Sequence, residues 1–165
     1  MNSNTDILSA AELTEIDHLI SHAPYRCAVA IDALKIVQKH HYWVSDDSLK
    51  ALADYLDMSV TELDGIATFY NLIYRRPVGE KVISLCDSVT CWMKGYNKLQ
   101  RHISERLNVN IGETTGDGRY TLLPAPCLGA CDRAPVMMVG DELHQDLDER
   151  TIDDILELNN AEGQE

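Results

Sequence analysis

Residues 86–95 have the sequence CDSVTCWMKG, in which Cys86 and Cys91 are separated by four residues. This pair follows the apolar, β-branched run KVISLC (residues 81–86), which predicts a strand. Two cysteines at this position are compatible with half of a disulfide, a zinc knuckle, a thiol redox pair or part of an iron–sulfur ligand set. The remainder of the chain decides between these four kinds of site.

A second cysteine pair, Cys127 and Cys131, lies in the segment APCLGACDRAP, with 35 residues between Cys91 and Cys127. This pair also follows a β-like run, RYTLLP (residues 119–124). Loops at the ends of strands in an open α/β sheet can converge at one edge of a domain. The sequence therefore predicts that both pairs lie on loops and offer four thiolates to one site.

The spacings within the two pairs separate the chemical alternatives. Structural zinc and thioredoxin-type redox centres both favour C-x2-C, and neither pair here has that spacing. A [2Fe–2S] cluster takes two thiolates per iron and is compatible with wider, glycine-bearing loops. Pro126, Gly129 and Pro135 stiffen or tighten the second loop, while Ser88 and Thr90 supply hydroxyl groups near the first pair. These residues favour an iron–sulfur site and leave zinc and disulfide or thiol chemistry open.

The bulk properties indicate a soluble chain of 165 residues with a formal net charge of −13. So acidic a surface repels phosphate backbones, so nucleic acid is not an expected partner. No apolar run approaches the roughly 18 residues of a membrane span, and residues 1–17 lack the features of a signal peptide. We therefore expect a cytoplasmic protein without direct membrane insertion. The fifth cysteine, Cys27, lies in an apolar helical stripe and is expected to pack as a small hydrophobic side chain.

Hydrophobic periodicity divides the chain at about residue 78. Residues 1–78 predict a helical bundle, with capping boxes at Ser9–Glu12 and Ser59–Glu62 marking two helix starts. Residues 79–165 predict strands separated by helices. The predicted elements are helices over 9–21, 26–40, 45–56, 59–70, 93–108 and 148–160, and strands at KVISLC, RYTLLP and PVMMVG, with ELHQDL pairing to the last across the Gly140–Asp141 turn. The predicted fold class is α+β in two parts, a helical bundle followed by a compact α/β domain.

The cysteine loops resemble those of the thioredoxin-like [2Fe–2S] ferredoxins, whose second loop has the form C-L-G-x-C-x-x-x-P. Within them, the chain resembles the E-subunit family of bacterial NADH:quinone oxidoreductases, or respiratory complex I. The resemblance extends over about residues 8–158 and includes DALKIVQK (32–39), GIATFY (65–70), GRYTLLP (118–124) and PVMMV (135–139). One departure is Tyr42, since a glycine is common at that position of the family.

This resemblance implies a thioredoxin-like ferredoxin domain in which Cys86, Cys91, Cys127 and Cys131 hold one [2Fe–2S] cluster. The implied function is single-electron exchange with FMN in an adjoining flavoprotein subunit, which binds NADH. A larger iron–sulfur subunit of the peripheral arm is a further implied partner, on the cytoplasmic face of the inner membrane. The alternatives are the homologous subunit of a soluble NAD-linked hydrogenase or formate dehydrogenase, and a zinc-stabilised interaction module.

No other motif indicates catalysis by the chain alone. It has no GxGxxG and no P-loop, and its six histidines form no arrangement with a nucleophile. We therefore expect an oxidoreductase subunit with no catalytic residue of its own. The segment ATFYNLIYRRPVG (67–79) contains aromatic residues beside Arg75 and Arg76. These side chains predict either anchors of a partner interface or a packed core with a solvated rim.

Overall fold

The computed structural model describes residues 7–162, with side chains described as far as residue 159. The described residues do not include 1–6 or 163–165. The first range begins the amino-terminal segment that is predicted not to be a signal peptide, and the second ends the predicted polar tail. The chain forms two compact units, Met1–Val78 and Gly79–Glu165. Whether each unit folds independently as a domain stays a prediction.

The first unit is a bundle of α-helices, as predicted. Its described helices are α1 (Ala10–Ser21), α2 (Ala30–His41), α3 (Asp46–Tyr55) and α4 (Val60–Phe69). Both predicted capping boxes are confirmed: the backbone N–H groups of Glu12 and Glu62 donate to the hydroxyls of Ser9 and Ser59, and each glutamate accepts from its cap backbone. The prediction of one helix over 26–40 was wrong at its start, because Arg26–Val29 forms a 3-10 turn.

Each helix contributes fully buried aliphatic residues to the core of the bundle, among them Ile16, Leu34, Leu52 and Leu63. In α2, for example, the buried residues Ala30, Ala33, Leu34 and Val37 recur at helical spacing and lie on one face of the helix. Arg75 ties the end of the unit to its helices, since its guanidinium pairs with Asp46 at 2.7 Å and with Asp64 at 2.9 Å. The unit is therefore held by an apolar centre and by the partly buried ionic network around Arg75.

Tyr42, the departure from the family pattern, ends α2 in the left-handed region with φ of 66°. Glycine adopts this conformation without steric cost, whereas any residue with a Cβ is strained in it. The backbone conformation thus explains why a glycine is common at this position of the family. Tyr42 occupies the same conformation at some cost in stability.

The second unit is an α/β domain with a mixed sheet, which confirms the predicted fold class. Its strands are β1 (Lys81–Cys86), β2 (Tyr120–Ala125), β3 (Met137–Val139) and β4 (Glu142–His144), and its helices are α5 (Val89–Met93), α6 (Tyr96–Leu107) and α7 (Glu149–Glu162). The strand order is β2-β1-β3-β4. Strands β1 and β2 are parallel, while β3 pairs antiparallel with both β1 and β4. The predicted hairpin across Gly140–Asp141 is confirmed.

A hydrophobic core joins the sheet to α6 and α7. Ile83, Leu122 and Met137 of the sheet pack with Ile103 of α6 and Ile152 of α7, and all five are fully buried. Strands β1 and β2, which lead into the two cysteine pairs, therefore both contribute to this core. Helix α7 runs two residues further than predicted, into the polar tail. Across the residues that the structure describes, no helix combines the length and the apolar character needed to cross a membrane.

Candidate metal centre

The two cysteine pairs lie at the same edge of the sheet. Cys86 is the last residue of β1 and is in register with Ala125, the last residue of β2. Because β1 and β2 are parallel, the chain leaves both strands on the same side, and Cys127 follows β2 after one intervening proline. The predicted convergence of the two segments at one edge is therefore observed.

The prediction that both pairs lie on loops was wrong for Cys86 and Cys91. Cys86 is the last residue of strand β1, and Cys91 lies in the short helix α5. Five residues are too few to show a helical period, so the sequence pattern did not reveal this helix. Cys131 begins a 3-10 turn, Cys131–Arg133, and only Cys127 lies in irregular structure.

The first pair is buried in a small apolar cluster. Cys86 and Cys91 are each only 1% exposed and pack with Ala130, Ala134 and Val136. Burial, followed by a hydrogen bond to Cys86, raises the pKa of Cys91 to about 11, although the backbone of Val136 opposes this shift with a hydrogen bond of its own. An apolar setting disfavours a bare thiolate, and a bound metal ion would supply the positive charge that stabilises it.

The second pair is exposed at the surface, with 3.3 Å between the sulfurs of Cys127 and Cys131. A hydrogen bond from the backbone N–H of Gly129, and then one from Cys131, lower the pKa of Cys127. The same contact with Cys127 raises the pKa of Cys131, and a hydrogen bond with the Thr90 hydroxyl opposes that rise. The backbone amide of Gly129 and the side chain of Thr90 are therefore hydrogen-bond donors to sulfur.

The two pairs also interact with each other. Ala130, next to Cys131, packs in the cluster that buries the first pair, and the nearby Cys131 and Cys86 help to raise the pKa of Cys91 and of Cys131, respectively, so the four thiols form one network. Within residues 7–162, however, no three side chains of His, Cys, Asp or Glu converge as the ligands of a single ion. The four thiols are thus arranged as two pairs and not as the joint ligands of a single ion. Their role as ligands stays a prediction.

Cys27 does not join this network. It lies in the 3-10 turn of the helical unit and is exposed to solvent. The expectation that it packs as a small hydrophobic side chain was wrong, because the helical stripe on which that expectation rested starts only after this turn. Cys27 therefore provides a thiol that is separate from the four clustered ones.

The model of the family described as thioredoxin-like [2Fe-2S] ferredoxin matches residues 16–160. The chain belongs to this family. A similar protein of Escherichia coli strain K12, the E subunit of NADH-quinone oxidoreductase, is 46% identical over 150 residues, which cover 91% of this chain and 90% of that protein. The corresponding E subunit of Pseudomonas aeruginosa is 42% identical over 141 residues, covering 86% of this chain and 85% of that protein. The predicted resemblance is confirmed, and these relatives are components of an oxidoreductase.

The fold of this ferredoxin-family chain is also present in a larger protein. A crystal structure of NAD+-reducing [NiFe]-hydrogenase in the air-oxidized state matches with a TM-score of 0.68 at 22% identity. The match covers 81% of this chain and 23% of the hydrogenase chain. At this level of identity the likeness concerns the fold alone.

The donor set fits the iron–sulfur cluster for which the family is described. Four thiols in two interacting pairs, with hydrogen-bond donors at three of the sulfurs, match the ligand chemistry of a [2Fe–2S] centre, which takes two cysteines on each iron. The hydroxyl of Thr90 was anticipated from the sequence. Val136 was missed, because no motif marks a residue that contributes a backbone group and an apolar contact.

The predicted interface segment divides between the two interpretations given above. Phe69 is 81% exposed, and Tyr70 stacks edge-on against it with ring centroids 5.4 Å apart. Arg75 instead belongs to the ionic network that holds the helical unit, with only 18% of its side chain exposed. Phe69 and Tyr70 are therefore not core residues, and a partner interface at this segment stays a prediction.

Proposed function

We propose that this chain is an electron-transfer subunit of NADH:quinone oxidoreductase that carries one [2Fe–2S] cluster and exchanges single electrons with FMN in the adjoining flavoprotein subunit. Cys86, Cys91, Cys127 and Cys131 would hold the cluster. When bound, the cluster supplies a centre that accepts and returns one electron. The observation that carries the proposal is the convergence of the two cysteine pairs, from segments far apart in sequence, at the same edge of the sheet.

The surrounding residues have separate tasks in this proposal. The apolar cluster around Cys86 and Cys91 keeps water from the inner pair, and the amide of Gly129 and the hydroxyl of Thr90 stabilise negative charge on the outer pair. Hydrogen bonds to sulfur, burial and net charge are the means by which a protein adjusts the potential of an iron–sulfur centre. FMN and NADH are assigned to the flavoprotein subunit, because this chain has no nucleotide-binding motif.

Membership of a larger assembly is supported by the names of the relatives, which are E subunits of NADH-quinone oxidoreductases at 39–46% identity. The proposed partners are the flavoprotein subunit and the larger iron–sulfur subunit of the peripheral arm, on the cytoplasmic side of the membrane. The second candidate parent is a soluble NAD-linked hydrogenase or formate dehydrogenase, for which the hydrogenase fold match provides the only support. Isolation of the intact complex from the source cells, with identification of its quinone-reducing or hydrogenase subunits, distinguishes these parents.

The cluster is tested on the full chain purified without oxygen. We expect a coloured protein whose visible absorption is bleached by dithionite and restored by oxidation, with two irons and two inorganic sulfides per chain. A colourless protein with one bound zinc would instead establish the zinc-stabilised module. In the matched control variant, all four clustered cysteines are replaced and only Cys27 remains. This variant should be colourless and should bind neither iron nor zinc stoichiometrically.

Electron exchange is tested by mixing the dithionite-reduced chain, freed of excess reductant, with the oxidised flavoprotein subunit. We expect the visible bands of the chain to recover while the flavin absorbance falls, with one electron transferred per chain. A chain that contains the cluster but leaves the flavin oxidised would contradict the proposed exchange while leaving the cofactor assignment intact.

A further inference from the structure

Two histidines lie next to each other at the carboxyl-terminal end of α1, in the unit that does not contain the clustered cysteines. His18 is in the last turn of the helix and His22 is its C-cap. Both residues are exposed, and their ring centroids are 4.9 Å apart. Residues four positions apart lie on the same face of an α-helix, and histidines at this spacing can bind one metal ion together. The proposed electron transfer does not use this pair.

The hydrogen bonds of His22 determine which of its ring nitrogens is free. Its Nδ1 atom lies 2.9 Å from the backbone carbonyl oxygen of His18 and 3.0 Å from the hydroxyl oxygen of Ser21. The Ser21 hydroxyl donates its own proton to the same carbonyl, at 2.7 Å. Because a carbonyl oxygen can only accept, Nδ1 of His22 carries a proton and donates it. In the neutral ring, Nε2 is therefore unprotonated and available as a metal ligand.

This arrangement is the one that orients histidine ligands in metal sites. A metal-bound imidazole generally donates its second ring N–H to a carbonyl, a carboxylate or water, which fixes the tautomer and the direction of the ring. With metal–nitrogen bonds of about 2.0–2.1 Å, two imidazoles on one ion have ring centroids roughly 4.5–5.2 Å apart for right-angled to tetrahedral coordination. The observed separation of His18 and His22 lies within this range.

The surrounding charge favours a cation. The pair lies where the helix dipole of α1 places partial negative charge. Residues Met1–Val78 contain six lysines and arginines against 11 aspartates and glutamates, which gives this unit a formal charge of −5. Glu15, one turn before His18, is paired with Lys39 and His40. The protein therefore supplies two ligands, which agrees with the absence of a three-ligand group among the residues that the structure describes.

We propose that His18 and His22 form a binding site for one divalent transition-metal ion of the kind that imidazole prefers, namely nickel, copper or zinc, with water in the remaining coordination positions. The site goes beyond the proposed function and does not depend on it, because both ligands lie at the end of one helix in the other unit. His22 is the oriented ligand and His18 completes the chelate. A bound ion would bridge the last turn of α1 and stabilise that end of the helix.

The test is a nickel titration of the full chain, without an affinity tag and purified with its cluster, followed by calorimetry. We expect one saturable site that weakens by at least about tenfold in His18→Gln and in His22→Gln, since even losing a supporting contact of a metal ligand costs about 10–100-fold in affinity. His102→Gln is the matched control, because this histidine is paired with Asp153 and has no other histidine within one helical turn. It should bind nickel as tightly as the parent chain. Comparison between these variants cancels any nickel that the cysteines bind.

Nuclear magnetic resonance locates the ion on the same protein. Paramagnetic nickel should broaden the imidazole signals of His18 and His22 before those of the other four histidines. Three results would overturn the site: no saturable binding by the parent chain, equal affinity of the parent and both single variants, and equal broadening of all six histidines. Weakened binding in His102→Gln as well would also overturn it, because binding would then be a general property of surface histidines. A colourless parent chain that shows the predicted tenfold difference would refute the cluster while leaving the histidine site supported.

Discussion

The hydrogen bond between the Thr90 hydroxyl and Cys131 leads to a prediction about the reduction potential. Reduction adds negative charge to the cluster, and a hydroxyl that donates to a ligand sulfur stabilises the reduced form more than the oxidised form. Thr90→Val keeps the shape of the side chain and removes this donor. We therefore expect the potential to fall.

The size of the shift follows from the exposure of the bond. Cys131 is exposed and Thr90 only partly buried, so water replaces much of the lost donor and the redox equilibrium changes by about two- to fivefold. For a one-electron couple a tenfold change corresponds to about 59 mV, so the potential should fall by about 20–40 mV. The measurement is a dithionite titration monitored by the visible spectrum or by electron paramagnetic resonance.

Thr90→Ser is the control, since serine retains the hydroxyl, and it should shift the potential by less than about 10 mV. The two variants together separate loss of the donor from general disturbance of α5. An unchanged or higher potential in Thr90→Val, with the cluster fully loaded, would refute the reasoning. Equal shifts in both variants would refute it as well, because they would assign the effect to packing.

The remaining predictions concern the stability of the helical unit and are measured by urea unfolding followed by circular dichroism. Leu34→Ala, at a fully buried position, should lower the free energy of unfolding by about 2–5 kcal/mol. Val60→Ala, at an exposed position, should change it by less than about 0.5 kcal/mol. Equal effects of the two substitutions would contradict the described core. Tyr42→Gly should raise the free energy of unfolding by about 0.5–1 kcal/mol, because glycine adopts the left-handed conformation without strain, whereas Tyr42→Ala should not raise it. If both substitutions stabilise the protein, the cause is the removal of the tyrosine side chain and not the relief of backbone strain. Hydrogen bonds from the Ser59 hydroxyl and backbone hold the pKa of Glu62 in the folded protein below its ordinary value of 4.5. The ionised carboxylate therefore stabilises the fold at pH values above 4.5. This stabilisation is lost as the pH falls through the lower pKa of the folded protein. The stability advantage over Glu62→Gln should accordingly shrink between about pH 6 and about pH 3, and a constant difference would exclude the ionised carboxylate as its source.

Features with a local chemical signature were predictable from the sequence. The capping boxes at Ser9 and Ser59, the strand ending at Cys86 and the hairpin across Gly140–Asp141 all depend on side chains or turn residues that act within a few positions. The structure has each of them where the pattern predicts it. The convergence of the cysteine pairs was also predictable, because each pair comes at the end of a predicted strand and such strand ends meet at one edge of an open α/β sheet.

The errors arose where length or tertiary context decides the conformation. Helix α5 is too short to produce a period, and residues 26–29 contain helix-forming side chains that the fold holds as a 3-10 turn. Cys27 is exposed because it lies in that turn, and no residue near it in the sequence indicates this exposure. Likewise, only the folded chain shows that Arg75 serves the helical unit while Phe69 faces solvent.

Bound iron per chain in two single variants, Cys131→Ala and Cys27→Ala, tests the central claim most directly. Cys131 belongs to the interacting thiol set, whereas Cys27 is an exposed thiol in the other unit. We predict that Cys27→Ala retains two irons per chain and that Cys131→Ala, purified identically, loses the dithionite-sensitive visible spectrum together with most of its iron. Full iron content and an unaltered spectrum in Cys131→Ala, or loss of both in Cys27→Ala, would contradict the assignment of the cluster to these four cysteines.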